Sequence, residues 1–425
     1  MGRAHAKKQR LCHSVSQTFQ QPQWTKIDLH SNESELEKPE QIFGHQIVAS
    51  ANVLWCIGGY RPVEQVKISL IALDLHSLQW DDLTPGEDSV APTWRWGHSA
   101  CVLEKHALKR PTDFRVMLCG GFSKNCNFNE VWHFCPSSGT FAEPPIALQQ
   151  LPIRGAYHSL VHDAFSDEVY LFGGQRCVGG PYIYSNSVFV AQLHRHRCGW
   201  KELLTSGQKP QARGQHCAVI TESGTMVVYG GAHASSTLHD VWALDVRKTP
   251  AVWAEVRPFN GPPCAPRSFP PRNFQVISSR PFMAAHGSSI VIAGEAAGHL
   301  TLWVLHSGRW YQVPAAGAPA WTGNFAAILC GECSKASQNK GNKLLVFGGE
   351  SCGTGRGHNS LCSGGLWSLD FILQPSAILQ GTLRRALQGS RRAALPEEAF
   401  EAIVAFAMGH YLDVMVTECC EKKKK

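Results

Sequence analysis

The sequence predicts an all-β fold assembled from six repeated units, and three observations support this prediction. Apolar runs that end in a Gly-Gly pair occur five times, and a sixth run keeps only one of the two glycines. The glycines that mark the units are Gly58, Gly120, Gly173, Gly230, Gly294 and Gly348. Their spacing of 53 to 64 residues is typical of repeated β-sheet units rather than of short local motifs. The composition, with 39 glycines and 13 tryptophans, suits many short strands joined by tight turns.

Each unit is predicted to contain four antiparallel strands. A segment of the Arg-x-x-His type, such as residues 95–98, opens the unit before its first strand. The second strand ends in the glycine pair, where the missing Cβ allows a sharp turn and a close approach of backbones. The third strand is apolar, and the fourth begins with an aromatic residue. Six such sheets around one axis form a β-propeller, so the sequence predicts a six-bladed propeller.

The last unit lacks an aromatic fourth strand of its own. Residues 24–29, near the start of the sequence, begin with Trp24 and have the pattern that is missing there. Pairing this segment with the last blade would close the ring and remove exposed sheet edges. We therefore expect residues 22–373 to form one propeller closed by its N-terminal strand, preceded by a disordered basic segment at residues 1–21.

The recurring glycine pair, apolar third strand and Trp resemble the kelch repeat over residues 22–373. This resemblance implies a scaffold that binds other proteins. The Arg-x-x-His segments recur with the repeat, which favours a packing role over catalysis, and no Ser/His/Asp set accompanies them. Cys330 and Cys333 have the spacing of a zinc or redox pair, but Cys330 ends an apolar strand, and the downstream Cys352, His358 and Cys362 lack paired spacing. We predict no enzyme activity, no metal and no cofactor.

Charge and hydropathy narrow the classes of partner. The net charge is +7, and much of it lies near the two ends of the sequence, so nucleic-acid binding by the propeller is not expected. No apolar stretch approaches the roughly 18 residues that a membrane span requires. Many of the 16 cysteines lie beside apolar strands, as buried free thiols do in a reducing compartment. We expect a cytoplasmic or nuclear protein.

The mouth of the central channel is the predicted substrate-binding region. A positive mouth with aromatic walls suits an acidic peptide or a terminal carboxylate. A structural alternative, in which the arginines bridge blades, stays open. The candidate substrate-binding residues are Arg95, Arg154, Gln175, Tyr184, Arg213, Arg267, Ser268 and Phe269.

Residues 374–417 leave the β pattern and predict two helices. Leucines at every fourth position form an apolar stripe on the first helix, and a Leu-Pro pair followed by acidic residues begins the second. The residues expected on the apolar faces are Leu379, Leu383, Leu387, Leu395, Pro396, Phe400 and Ile403. Residues 418–425 are expected to be a disordered basic end.

This tail resembles that of kelch-domain substrate receptors of cullin-2 RING ubiquitin ligases. The resemblance implies that Leu379, Leu383 and Leu387 contact elongin C of the elongin B/C pair. It also implies that Leu395, Pro396, Phe400 and Ile403 contact cullin-2. Two alternatives stay open. The second segment also resembles the start of an F-box, which would bind a Skp-type adaptor, and a kelch scaffold without a ligase role would use both helices for packing.

Members of that receptor group capture the C-terminus of their substrates with two arginines after a glycine pair and an Arg-Ser-aromatic segment. This chain has the segment as Arg267-Ser268-Phe269, but Ala232 and Thr237 occupy the arginine positions. A C-terminal degron, a different substrate, and a carboxylate held by Arg213 or Arg154 are all open at this point.

Overall fold

The computed structural model describes residues 22–31, 42–50, 52–60, 66–103, 115–124, 126–177, 181–193, 199–234, 236–257, 281–286, 289–296, 299–306, 309–313, 315–319, 325–330, 342–348 and 365–371. Within these residues, six sheets with at least four antiparallel strands each form the blades of a propeller. The predicted all-β, six-bladed fold is therefore confirmed. The predictions for residues 1–21, for Arg267, Ser268 and Phe269, and for residues 374–425 lie outside the described residues.

The first three blades follow one another along the chain. Blade 1 consists of β3 (Gln46–Ser50), β4 (Val53–Ile57), β5 (Leu70–Asp74) and β6 (Gln79–Asp82). Blade 2 consists of β7 (Ser99–Val102), β8 (Val116–Cys119), β9 (Val131–Cys135) and β10 (Thr140–Ala142). Blade 3 consists of β11 (Ser159–Asp163), β12 (Glu168–Phe172), β15 (Val188–Gln192) and β16 (Lys201–Glu202). A 3-10 turn at Ile146–Leu148 lies between blades 2 and 3.

The remaining blades repeat this order. Blade 4 consists of β18 (Cys217–Ile220), β19 (Thr225–Tyr229), β22 (Val241–Asp245) and β23 (Ala251–Val256). Blade 5 consists of β24 (Phe282–His286), β25 (Ser289–Ala296), β26 (His299–His306) and β27 (Arg309–Val313). Blade 6 consists of β28 (Ala326–Cys330), β29 (Asn342–Phe347), β30 (Leu366–Phe371) and β1 (Trp24–Ile27).

Strand β1 closes the ring as the sequence predicted. It pairs antiparallel with β30, and Trp24 stands opposite Leu369. The innermost strands contact one another in the order β3, β7, β11, β18, β24, β28 and back to β3. Because the first and last blades share an interface, the described sheets leave no gap in the ring.

Apolar clusters between neighbouring blades hold the ring together. Each of the six clusters draws residues from two adjacent blades. The aromatic residue at the start of each fourth strand packs against the preceding blade. These residues are Trp80, Phe141, Trp200, Trp253, Trp310 and Trp24. The aromatic position of the repeat is therefore an inter-blade contact, worth several kcal/mol where it is fully buried.

Histidine rings of the opening segments leave no room for a side chain at the first glycine of a pair. A Cβ at Gly58 would lie 2.5 Å from the ring of His98 in the next blade, and a Cβ at Gly348 would lie 2.5 Å from the ring of His45. Gly58 and Gly348 also have φ of +63° and +69°, which L residues rarely adopt. Burial lowers the pKa of His45 to about 3, so the imidazole on Gly348 is neutral at neutral pH. Gly348 and His45 join blade 6 to blade 1.

Smaller strands extend the blades beyond the four-strand pattern. β2 (His30–Ser31) and β17 (Thr205–Ser206) add parallel edge strands to blades 1 and 4. Two hairpins follow glycine pairs, one formed by β13 (Gln175–Arg176) and β14 (Ile183–Tyr184), the other by β20 (Ala232–His233) and β21 (Ser236–Thr237). These hairpins rise from the end of the propeller at which the glycine pairs lie.

Candidate functional site

The opening segments and the glycine pairs meet at one end of the propeller, which we call the glycine-pair face. The opening segments are residues 42–45, 95–98, 155–158 and 213–216 of blades 1 to 4. In blades 1, 2 and 3 the second glycine of the pair donates its N–H to the next opening segment, as Gly59 does to the carbonyl of Arg95 at 2.9 Å. These bonds join the glycine pairs of the first three blades to the blade that follows.

A chain of backbone hydrogen bonds runs around this mouth. Gly97 N donates to Gly44 O at 2.9 Å, Tyr157 N to Gly97 O at 2.7 Å, and Gln215 N to Tyr157 O at 2.9 Å. All four residues have φ between +55° and +67°. This positive-φ position of the opening segment is a glycine in blades 1 and 2, whereas in blades 3 and 4 it is occupied by Tyr157 and Gln215.

Arg213 is enclosed by its own blade. Its side chain has no exposed surface and forms two hydrogen bonds with Asp240, of 2.6 Å and 2.9 Å. The same guanidinium donates to the carbonyls of Gln211 and Gly230, each at 2.9 Å. Trp242 donates its indole N–H to Asp240 at 2.6 Å. Burial opposes ionisation of Asp240, but these hydrogen bonds and the charge of Arg213 hold its pKa below the ordinary value.

Arg95 repeats this arrangement in blade 2. Its guanidinium contacts Glu130 at 2.6 Å and donates to the carbonyls of Thr93 and Gly120. Trp132 donates to the same carboxylate at 3.1 Å. Burial lowers the pKa of Arg95, but the group remains charged beside Glu130. The side chains of Arg95 and Arg213 therefore bind residues of their own blades, and these contacts do not bridge two blades as the structural alternative expected.

Arg154 occupies a different position from Arg95 and Arg213. The residue of blade 3 that is equivalent to these two arginines is Gly155, one position further along the chain. Gly155 is the residue whose carbonyl accepts the bond from the preceding glycine pair, at 2.9 Å from Gly121 N. A Cβ at position 155 would overlap the carbonyl of Gln175, so the position requires glycine. The adjacent side chain of Arg154 is consequently exposed.

Arg154 has a second arginine as a neighbour. The Cβ of Arg176, on β13, is 3.5 Å from the point where a Cβ of Gly155 would lie. Both arginine side chains are exposed, and neither forms a salt bridge with any residue that the structure describes. The nearby carboxylate of Glu130, which feels the charge of Arg154, is already bound to Arg95 and Trp132.

Gln175 and Tyr184 are brought together on the hairpin β13–β14, where they are paired. Gln175 is 4% exposed, and its side chain lies against Gly214 of blade 4. The ring of Tyr184 is 5.0 Å from that of His233, and burial raises the pKa of the tyrosine. His233 Nδ1 lies 2.7 Å from Ala212 O. Because a carbonyl only accepts, Nδ1 carries the proton, and Nε2 of the neutral ring is left as an acceptor.

The aromatic walls expected at the mouth take the form of one continuous aromatic belt across blades 1 to 3, and this continuity is not predicted from the sequence. Neighbouring ring centroids along it are 4.9 to 5.8 Å apart. The members are Phe43, Tyr60, Trp94, Trp96, Phe122 and Tyr157. Tyr60 and Phe122 each follow a glycine pair directly. Tyr60 forms an antiparallel β-bridge with Phe43, and Phe122 forms one with Trp96. Comparing the residue after each glycine pair between blades would have singled out Tyr60 and Phe122.

Two further observations concern the described residues only. They contain no group of three or more His, Cys, Asp or Glu side chains that could hold a metal ion. No helix among them is long and apolar enough to cross a membrane.

A six-bladed propeller with locked glycine pairs and an aromatic at each blade interface defines the kelch class, whose propellers typically serve protein interaction rather than catalysis. The KLHDC2/KLHL20/DRC7 Kelch-repeats domain model matches residues 112–331, and the chain belongs to this family.

Named relatives share the repeat at low identity. Kelch domain-containing protein 3 of Bos taurus is 24% identical over 237 residues, which cover 54% of this chain and 57% of that protein. Host cell factor homolog hcf-1 of Caenorhabditis elegans is 27% identical over 294 residues, covering 62% of this chain and 34% of that protein. The chain thus spans little more than half the length of the first of these relatives.

Proposed function

We propose that this protein is the substrate receptor of a cullin-RING ubiquitin ligase. The propeller binds a substrate protein at the glycine-pair face, and residues 374–417 bind elongin B/C and cullin-2. The receptor needs no catalytic residue, because it acts by raising the effective concentration of the substrate near the ubiquitin-charged enzyme.

The proposal rests on the mouth of the propeller, because propellers of the kelch family typically serve protein interaction. Arg154 and Arg176 stand there, exposed and without a salt bridge to any described residue, beside partly exposed aromatic rings. Unsatisfied cations and rigid aromatic groups on one surface are typical of binding sites. The adaptor half of the proposal is supported by the resemblance of residues 374–417 to known receptor tails. A C-terminal degron remains one candidate substrate.

Co-purification with the adaptors tests the proposal. We expect elongin C and cullin-2 to be recovered with the full chain. Both should be lost with the Leu379→Asp/Leu383→Asp variant and with deletion of residues 376–417. Gln380→Asp is the control, because it introduces an aspartate into the predicted first helix but away from its leucine stripe. Undiminished recovery of elongin C after the deletion would contradict the adaptor assignment.

The same experiment separates the alternatives. Recovery of a Skp-type adaptor in place of elongin C would favour the F-box-like interpretation. Recovery of neither, together with a lower Tm for Leu383→Asp, would indicate that the helices pack on the propeller and that the protein is a kelch scaffold.

A further inference from the structure

We propose that the glycine-pair face binds an internal peptide segment in which an acidic side chain lies a few residues from an aromatic or large aliphatic one. The acidic side chain contacts Arg154 and Arg176, and the apolar side chain packs on the aromatic belt. This inference rests on the proposed function and names the substrate class that the receptor takes.

The cationic subsite is formed by Arg154 and Arg176. The two side chains start on either side of Gly155, and the structure describes no carboxylate in a salt bridge with either of them. The carboxylates of the inner mouth are already bound, Glu130 by Arg95 and Asp240 by Arg213. A pair of free guanidinium groups binds a carboxylate through charge-assisted hydrogen bonds. Because no described residue supplies such a carboxylate, we assign it to the partner.

The apolar subsite is the exposed side of the aromatic belt. Tyr60, Trp96 and Phe122 are partly exposed, and they rest on the buried rings of Phe43, Trp94 and Tyr157. The rings pack on one another, with 5.1 Å between the ring centroids of Trp94 and Trp96, so each ring restricts the motion of its neighbour. The belt therefore offers a rigid surface on which an apolar side chain can pack at little entropic cost.

The two subsites are neighbours. Phe122 of the belt contacts Tyr157, with 5.3 Å between ring centroids, and Tyr157 belongs to the same opening segment that Arg154 precedes. An extended chain advances about 3.3 Å per residue, so a segment of a few residues reaches from one subsite to the other.

The position of the arginines favours an internal segment over a chain terminus. Arg154 and Arg176 stand exposed on the rim, where a bound chain can continue in both directions. The enclosed arginines, Arg95 and Arg213, are occupied by intramolecular carboxylates. At the rim of blade 4, the free Nε2 of His233 is suited to accept a backbone N–H from a passing segment.

Fluorescence anisotropy with the full chain tests this inference. The probe is a labelled, C-terminally amidated peptide of about eight residues, with Asp and Trp two residues apart in a Gly/Ser background. Matched peptides replace Asp by Asn, replace Trp by Ser, or carry the Asn version with a free C-terminal carboxylate. We expect the amidated Asp/Trp peptide to bind, and each replacement to weaken binding about tenfold, with weaker binding at higher salt.

Variants of the protein complete the test. Arg154→Glu/Arg176→Glu should abolish binding of the Asp/Trp peptide, and Phe122→Ser should weaken it about tenfold. Lys201→Glu/Lys209→Glu is the control, because it changes exposed lysines outside the mouth by the same charge. The inference is overturned if the arginine variant binds normally, if the amidated Asp/Trp peptide does not bind, or if the free-carboxylate Asn peptide binds more tightly.

Failure of this inference is distinguishable from failure of the proposed function. Arg154→Glu/Arg176→Glu should still co-purify with elongin C. Leu379→Asp/Leu383→Asp should still bind the Asp/Trp peptide. Loss of adaptor binding in the first variant, or of peptide binding in the second, would show that the two surfaces are not independent.

Discussion

The opening segments of blades 3 and 4 each bring an arginine to the same face, yet the two arginines have opposite environments. Arg213 occupies the position that accepts a bond from the preceding glycine pair, and it is fully buried on Asp240. Arg154 stands one residue before that position and is exposed. A shift of one residue therefore separates an arginine that is buried on an acid of its own blade from one that is exposed and forms no salt bridge with any described residue.

The difference extends to the residues that face the opening segment. Before the third strand, blades 2 and 4 have an acidic residue followed two positions later by Trp, Glu130 with Trp132 and Asp240 with Trp242. Blade 3 has Ser187 at the equivalent place, where its carbonyl accepts the N–H of Gly173. Only the blades with a buried arginine carry the acid, which indicates that arginine, acid and Trp act as one structural unit.

The largest predicted effect comes from breaking this unit in blade 4. Arg213→Met should lower the free energy of unfolding by about 3–5 kcal/mol, because it leaves Asp240 partly buried without its partner. Urea unfolding followed by tryptophan fluorescence measures the loss. Arg257→Met is the control in the same blade, since Arg257 is exposed and pairs with Glu255 two residues away. Equal, small effects of both substitutions would contradict a structural role for Arg213.

A smaller effect is expected at the inter-blade lock that both blades share. Gly173→Ala should cost about 2–3 kcal/mol, because φ is +68° and the new Cβ would lie 2.7 Å from the ring of His216. The drop in Tm measures it. Gly86→Ala is the control: at that turn the nearest atom to a new Cβ is 3.8 Å away, so the cost should be negligible. A tolerated Gly173→Ala would mean that His216 does not fix the glycine.

The fold could be predicted from sequence because each repeated position has a local physical cause. Glycines with positive φ, an aromatic at each fourth strand and the unmatched strand beginning at Trp24 are all visible without coordinates. The site could be predicted only in part. Arg154 lies four residues before His158 and Arg213 three residues before His216, so the offset of one residue is visible in the sequence. Its effect on burial is not, because that effect depends on the contact of Arg213 with Asp240. The aromatic belt joins rings from three blades, so its contacts depend on the closed ring.

Because of Asp240 in blade 4, the stability of the protein is expected to depend on pH. The pKa of Asp240 is held below 3.8, so the unfolded state binds protons more readily than the folded state. The stabilisation is complete above pH 3.8 and is lost as the pH falls through the lower, folded-state pKa. The difference in unfolding free energy between wild type and Asp240→Asn should therefore shrink as the pH is lowered past 3.8. Ser187→Ala, with no titrating group, should show a difference that does not change over the same range.

The smallest effect on stability is predicted for Arg154. Its size distinguishes a structural role of this exposed arginine from a role in binding a partner. Arg154→Met should change the free energy of unfolding by no more than about 0.5 kcal/mol, because the side chain is exposed and forms no salt bridge among the described residues. The same substitution should weaken binding of the Asp/Trp peptide. A loss of more than about 1 kcal/mol in urea unfolding would place Arg154 with Arg213 as a structural residue. Unchanged stability with weakened binding would identify the offset of one residue as the feature that frees an arginine for a partner.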